Sequence, residues 1–185
     1  PLPLIERGKM NNKLTVNMLT KMAIFAALTV IFRRFLTITI FSSTKIGLGY
    51  LPTMMAGILY GPIAGGITGG VADVVGMLMK PDGVFHPGFT LSSILIGAVP
   101  GFISYNIFKR DFKNKLDWIC ILSAIFVFMG VRLLLDSLWL THLYSNPYLF
   151  YVIRNFIKDA VEAGINAIVL IMLIPKITKY AYEKL

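Results

Sequence analysis

Three features of this 185-residue chain predict an all-α integral membrane protein, a bundle of six transmembrane helices with both termini cytoplasmic. Apolar residues make up 56% of it, and its mean hydropathy of +0.73 is well above soluble averages. They gather into six stretches separated by short polar or Gly/Pro-rich joints, and a helix crossing a hydrocarbon core of about 30 Å needs about 20 such residues. The cations cluster at alternate joints, which fixes an orientation.

The spans fall near Val16–Leu36, Gly47–Tyr60, Pro62–Met79, Gly88–Phe108, Trp118–Thr141 and Phe156–Ala181. The second is short, and is expected to be tilted or partly enclosed by its neighbours. Residues 1–9, PLPLIERGK, lack the apolar core and small-residue cleavage site of a signal peptide. They read as a cloning remnant ahead of Met10, leaving residues 10–185 as a single six-helix membrane domain.

Lys and Arg number 18 against 9 acids, a net charge of +9. Arg7, Lys9, Lys13 and Lys21 precede or open the first span. Lys109, Arg110, Lys113 and Lys115 crowd the joint between the fourth and fifth, and Lys176, Lys179 and Lys184 follow the last. With six spans all three clusters share one side, and the positive-inside rule makes it the cytoplasm. The excess charge is therefore a topology signal, which argues against a nucleic-acid partner. Cys120 is a lone cysteine and the two histidines lie far apart, so no metal site and no cofactor are expected. No phosphate-binding GxxxxGK[ST] loop and no HExxH helix occur. The chain reads as no enzyme, and any uphill transport would draw its energy from another subunit.

Within the first span Ala23 and Ala27 form a small-xxx-small face, either ordinary packing or, on a lipid-facing surface, a docking site for another membrane helix. In the third, Gly65/Gly69 and Gly66/Gly70 let helix backbones approach closely. Asp73 lies about 9 Å below the outer end of that helix at 1.5 Å per residue. A carboxylate at such depth is costly unless paired; it either contacts a ligand or pairs internally with a neighbour such as Arg132. The segment Lys80–Thr90 is punctuated by Pro81, Gly83, Pro87 and Gly88, a set of defined turns. It puts Phe85, His86 and Phe89 at the outer mouth, either to stack on a planar ligand or as an interfacial aromatic belt. At 100° per residue Arg132, Asp136 and Trp139 share one stripe of the fifth helix, where Arg132 and Asp136 could also neutralise each other. Arg154, Asn155, Lys158, Glu162 and Asn166 make a polar face on the sixth. Two inward polar faces at one depth predict a polar cavity in the outer half of the bundle.

The run Gly61-Pro62-xx-Gly65-xxx-Gly69-xxx-Asp73-xx-Gly76, followed by Pro81-x-Gly83-x-Phe85-x-Pro87-Gly88-Phe89-Thr90-Leu91-Ser92, resembles the substrate-binding S component of energy-coupling factor (ECF) transporters, folate-type branch. Trp139-Leu140-xx-Leu143-Tyr144, Arg154-xxx-Lys158 and Ala23-xxx-Ala27 resemble that branch too, from Lys13 to the C-terminus. Two positions depart from the pattern: His86, where Phe or Tyr is usual, and Asp136, where Asn is. The resemblance implies a membrane subunit that captures folate outside and releases it inside. It would do so docked on a transmembrane coupling protein (EcfT) and two ATPase subunits (EcfA-type), in a prokaryotic cell membrane. It places Asp73, Phe85, His86, Phe89, Arg132, Trp139, Arg154, Asn155, Lys158 and Arg34 at the ligand, with Arg33 beside Arg34. It gives Ala23 and Ala27 the coupling role and makes the loop Thr37–Ile46, with Lys45, a gate. An S component for thiamine or riboflavin, or a stand-alone channel or carrier, is the alternative.

Overall fold

A computed structural model describes residues 15–35, 38–40, 44–81, 83–112 and 114–183. The expectations for Arg7, Lys9, Lys13, Lys113, Lys184 and the remnant at 1–9 lie outside these residues, as do Thr37 and residues 41–43 of the expected gate.

The described chain is helical apart from one hairpin. Helix α1 (Val16–Arg34) starts at Thr15, whose hydroxyl accepts the Met18 N–H, a standard N-cap. Strands β1 (Ile38–Ile40) and β2 (Thr44–Ile46) pair antiparallel with Ile38 opposite Ile46, so the expected loop carries sheet structure. Helix α2 (Leu51–Tyr60) has ten residues, about 15 Å at 1.5 Å per residue. That is half a hydrocarbon core, so α2 does not span alone. Leu51 through Leu59 are all buried, the enclosure expected of a short second segment. Gly61, at φ 101°, makes the turn into α3 (Pro62–Met79), where Pro62 supplies the first-turn φ.

Helix α4 (Pro87–Ile107) and helix α5 (Leu116–Tyr144) match their expected spans within a few residues. Helix α6 (Tyr148–Glu183) begins eight residues before the expected Phe156. The polar residues Arg154, Asn155 and Lys158 had hidden its first turns from a hydropathy ruler. Among the described residues five helices are long and apolar enough to cross a membrane.

Glycines bring α2, α3 and α4 together. A Cβ on Gly57, Gly65 or Gly97 would sit inside the contact distance of a backbone carbonyl of the facing helix, so these positions pack backbone on backbone. Met54, Ile58, Ile96, Ile119, Phe128, Leu170 and Ile174 fill the interior. Outside, Ile24, Leu78, Phe102, Phe126, Ile153 and Ile157 are exposed. So wide an apolar exterior suits lipid and not water. Ala23 and Ala27 lie on this exterior, while their neighbours Met22, Ala26 and Val30 turn inward.

Candidate functional site

A cavity of about 230 Å³ opens at the bundle end that carries the C-termini of α1, α3 and α5 and the N-termini of α2 and α4. The Lys109–Lys115 joint lies at the other end, because α4 runs away from the cavity toward it. Arg33 and Arg34 come from α1, Tyr50 from the turn before α2, and Asp73 and Met77 from α3. Val84, Phe85, His86 and Phe89 form the rim, and Arg132, Asp136, Leu140, Leu143 and Tyr144 the α5 wall. Three guanidiniums and two carboxylates make the cavity lining strongly polar.

Asp73 is buried and fully engaged. Its Oδ1 accepts from Arg33 Nη1 at 2.8 Å and its Oδ2 from the Thr90 hydroxyl at 2.9 Å; Arg33 Nη1 also donates to Ser93 Oγ. This knot ties α1, α3 and α4 together. The partner of Asp73 is thus Arg33 and not Arg132, which sits across the cavity. Arg34 is buried with its guanidinium against Gly76, where a Cβ would come within 2.9 Å of Nε.

Arg132 owes its place to a widened helix. Through Phe126–Leu135, α5 takes π-helical i→i+5 pairing, which ends with the Asp136 N–H bonded to the Val131 carbonyl. Such segments are rare and gather at functional sites. Arg132 and Asp136 share the cavity wall, whereas Trp139, on the regular α-helical turn that follows, is turned toward α4. The Trp139 indole donates to Ser92 Oγ at 3.1 Å and packs against Gly88, where any Cβ would clash. It supports His86 from behind at a ring separation of 5.7 Å. His86 also caps α4, its Nδ1 accepting the Gly88 N–H at 3.1 Å, and its ring meets Phe89 edge-on at 5.9 Å.

Behind the α5 wall runs a buried ionic network. Arg132 reaches Asp159 at 3.3 Å, Glu162 at 3.5 Å and Asp136 at 4.0 Å. Lys158 pairs with Asp159 at 3.4 Å. Glu162 also accepts the Gly47 N–H at 3.1 Å, which fastens the end of the hairpin to α6. Lys158 thus faces this network, not the cavity. Arg154 is exposed on the surface of α6, and Asn155 beside it does not line the cavity either. The structure gathers Arg34, Asp73, Phe85, His86, Phe89 and Arg132 and leaves Trp139, Arg154, Asn155 and Lys158 outside.

Two residues escape a reading of the sequence. The Tyr50 ring meets two guanidiniums, Arg33 and Arg132, each with its Cζ 4.6 Å from the ring centroid. Asp159, the other, accepts a hydrogen bond from Arg132 Nη2 at 3.3 Å and shares its neutralisation with Glu162. Tyr50, two residues before Pro52, carries the sequence signal of an aromatic at a turn; Asp159 directly follows Lys158, and nothing local marks it as the partner of Arg132 on another helix.

Apolar helices around a polar cavity with an aromatic rim define an integral membrane protein that binds a small solute. Residues 13–179 match the family model described as the ECF-type riboflavin transporter, S component. The chain is 33% identical over 155 residues to the folate transporter FolT of Clostridium novyi (strain NT), covering 84% of this chain and 86% of that one. Its fold matches a crystal structure of FolT bound with folic acid at a TM-score of 0.72 and 29% identity, over 88% and 95% of the two chains. An S component for biotin matches at 0.68 and 23% identity, over 90% and 94%, a likeness of fold alone. The chain belongs to the S components of ECF transporters, a family of transporter subunits and not of enzymes.

Proposed function

We propose that this protein is the folate-capturing subunit of an ECF-type transporter, resident in a prokaryotic cell membrane with both termini in the cytoplasm. The cavity then faces outward, opposite the cationic joint. Support for folate comes chiefly from the relatives: the chain is similar over most of its length to a folate transporter and to a structure holding folic acid. The cavity chemistry agrees. A pterin is planar and suits a rim of His86, Phe89 and Phe85, and a glutamate tail carries carboxylates that guanidiniums bind bidentately. A cavity of about 230 Å³ lies below the ~300–1,000 Å³ of sites that enclose a drug-sized ligand. It accommodates the ring system, with the tail leaving past Arg34 and the rim.

The exposed Ala23/Ala27 face of α1 is where the coupling protein EcfT would dock, with two EcfA-type ATPases supplying the energy. The described hairpin, held to α6 through Gly47 and Glu162, would gate the mouth. The riboflavin named by the family model is the second reading. Reconstitution tests transport: liposomes with this chain, its coupling protein and both ATPases should take up labelled folic acid only with ATP inside the compartment that holds the ATPases. Liposomes holding the chain alone should take up none. Uptake by the lone chain would instead make it a self-sufficient carrier.

A further inference from the structure

The half-buried His86 is the N-cap of α4: its Nδ1 accepts the Gly88 N–H at 3.1 Å. A ring nitrogen accepts only while it carries no proton, so this imidazole is neutral, with its one proton on Nε2. The same ring holds the mouth together, its centroid 5.7 Å from Trp139, 5.9 Å from Phe89 and 5.7 Å from His142. A second proton would set Nδ1–H against the Gly88 N–H, two donors with no acceptor between them. It would also put a cation at the positive end of a helix dipole. Among the described residues no carboxylate meets the imidazole to offset that charge. On the cavity it lines, Asp73 of α3 is bound to Arg33 and Thr90, and Asp136 of α5 faces Arg132. The remaining titratable groups there, Arg34 of α1, Tyr50 and Tyr144 of α5, supply no further carboxylate. His142, exposed beside the ring, is a second group that can only add positive charge.

We propose that His86 is a positioning residue whose protonation releases the rim. Neutral, it caps α4 and keeps the mouth aromatics in contact; protonated, it lets go of the Gly88 N–H and the ring turns away. Capture is then tight near neutral pH and slackens in acid, in the range where histidine gains its second proton. A side-chain cap is a factor of roughly 2- to 30-fold in a helix equilibrium, enough to be read in an affinity. The added charge by itself would act in the opposite sense, drawing in an anionic ligand, so the sign of the pH effect decides between the two. The proposal takes its ligand from the folate reading, but the switch belongs to the unliganded chain.

The test titrates the purified full-length chain with folic acid at about pH 7.5 and about pH 5.5, on either side of the histidine range. The carboxylates of folic acid stay ionised across it, and the ligand's own titration is common to every variant. The parent should bind about fivefold or more weakly at the lower pH, the order of one helix cap. In His86→Asn the amide oxygen caps without titrating, so its two affinities should agree within about twofold. His142→Asn should keep the parent's ratio. Should His86→Asn fail to fold, His86→Phe keeps a ring in the rim without a titrating nitrogen, and should flatten the ratio likewise. Affinity that is flat or rises in acid, a parental ratio in a folded His86 variant, or its loss in His142→Asn each overturns the proposal. A second readout needs no vitamin. Trp118→Phe with His142→Asn leaves one tryptophan, Trp139, and one histidine, His86. A charge gained beside the indole, or the departure of the ring, changes its emission. The ligand-free chain should show that transition between about pH 8 and pH 5, and its His86→Phe derivative should show none. If no folic acid binds while the transition is present, the folate reading falls and the switch stands; a flat emission titration overturns the switch whatever the ligand.

Discussion

Replacing Asp73 by Asn separates architecture from recognition at the buried knot. The side chain keeps its size, but the charge facing Arg33 at 2.8 Å disappears, and with the amide oxygen toward Arg33 its NH2 donates to the Thr90 hydroxyl, which must turn from donor to acceptor. A hydrogen bond to a charged group contributes ~1.5–3 kcal/mol, and breaking a buried pair leaves an uncompensated cation at ~3–5 kcal/mol. The amide oxygen still accepts from Arg33, which places the expected loss at about 2–4 kcal/mol. For a chain of this length each kcal/mol moves the melting temperature by roughly 2–4 °C, so Asp73→Asn should melt roughly 4–16 °C below the parent. Because both oxygens serve α1 and α4, folic acid affinity of the surviving protein should stay within about threefold. Differential scanning fluorimetry and titration on the same sample read both quantities. An unchanged melting temperature with a 100-fold loss of affinity would show that Asp73 serves the ligand, and would refute the pairing argument.

Three further outcomes follow from other contacts. Ala23→Trp and Ala27→Trp should fold and bind folic acid normally, because both face outward, yet abolish ATP-driven uptake by blocking helix-to-helix docking; lost binding in a folded variant would place the face inside the bundle. Gly97→Ala puts a Cβ against the Gly65 carbonyl and should cost about 1–3 kcal/mol of stability through overpacking, measured by thermal melting; a neutral effect would show that α3 and α4 are free to separate. Tyr50→Leu removes the ring that Arg33 and Arg132 both meet and should weaken folic acid binding by roughly tenfold, since each cation–π contact contributes about 0.5–2 kcal/mol. Tyr50→Phe should bind like the parent, and equal losses in both would assign the effect to the hydroxyl.

Hydropathy alone locates the helices here, because in a lipid-filled surrounding length and apolarity are the dominant constraints. It misplaces the start of α6, where Arg154, Asn155 and Lys158 interrupt the apolar run. It also overstates α2, whose ten residues are buried by neighbours and not by lipid. Asp73, Arg132 and the Phe85–Phe89 rim were legible because isolated charges and Pro/Gly-framed aromatics stand out in an apolar chain. Their partners were not: Arg33 meets Asp73 across 40 positions, and Asp159 reaches Arg132 from another helix. The π-helical stretch of α5 has no local sequence mark, yet it carries Arg132 onto the cavity wall beside Asp136.

Folate capture is tested most directly by calorimetric titration of the purified full-length chain with folic acid, riboflavin and thiamine in turn. Folic acid should bind one to one with a dissociation constant on the order of nanomolar, about −12 kcal/mol, and the other two vitamins should give no binding heat. Tight binding of riboflavin or thiamine with none of folic acid would contradict the account.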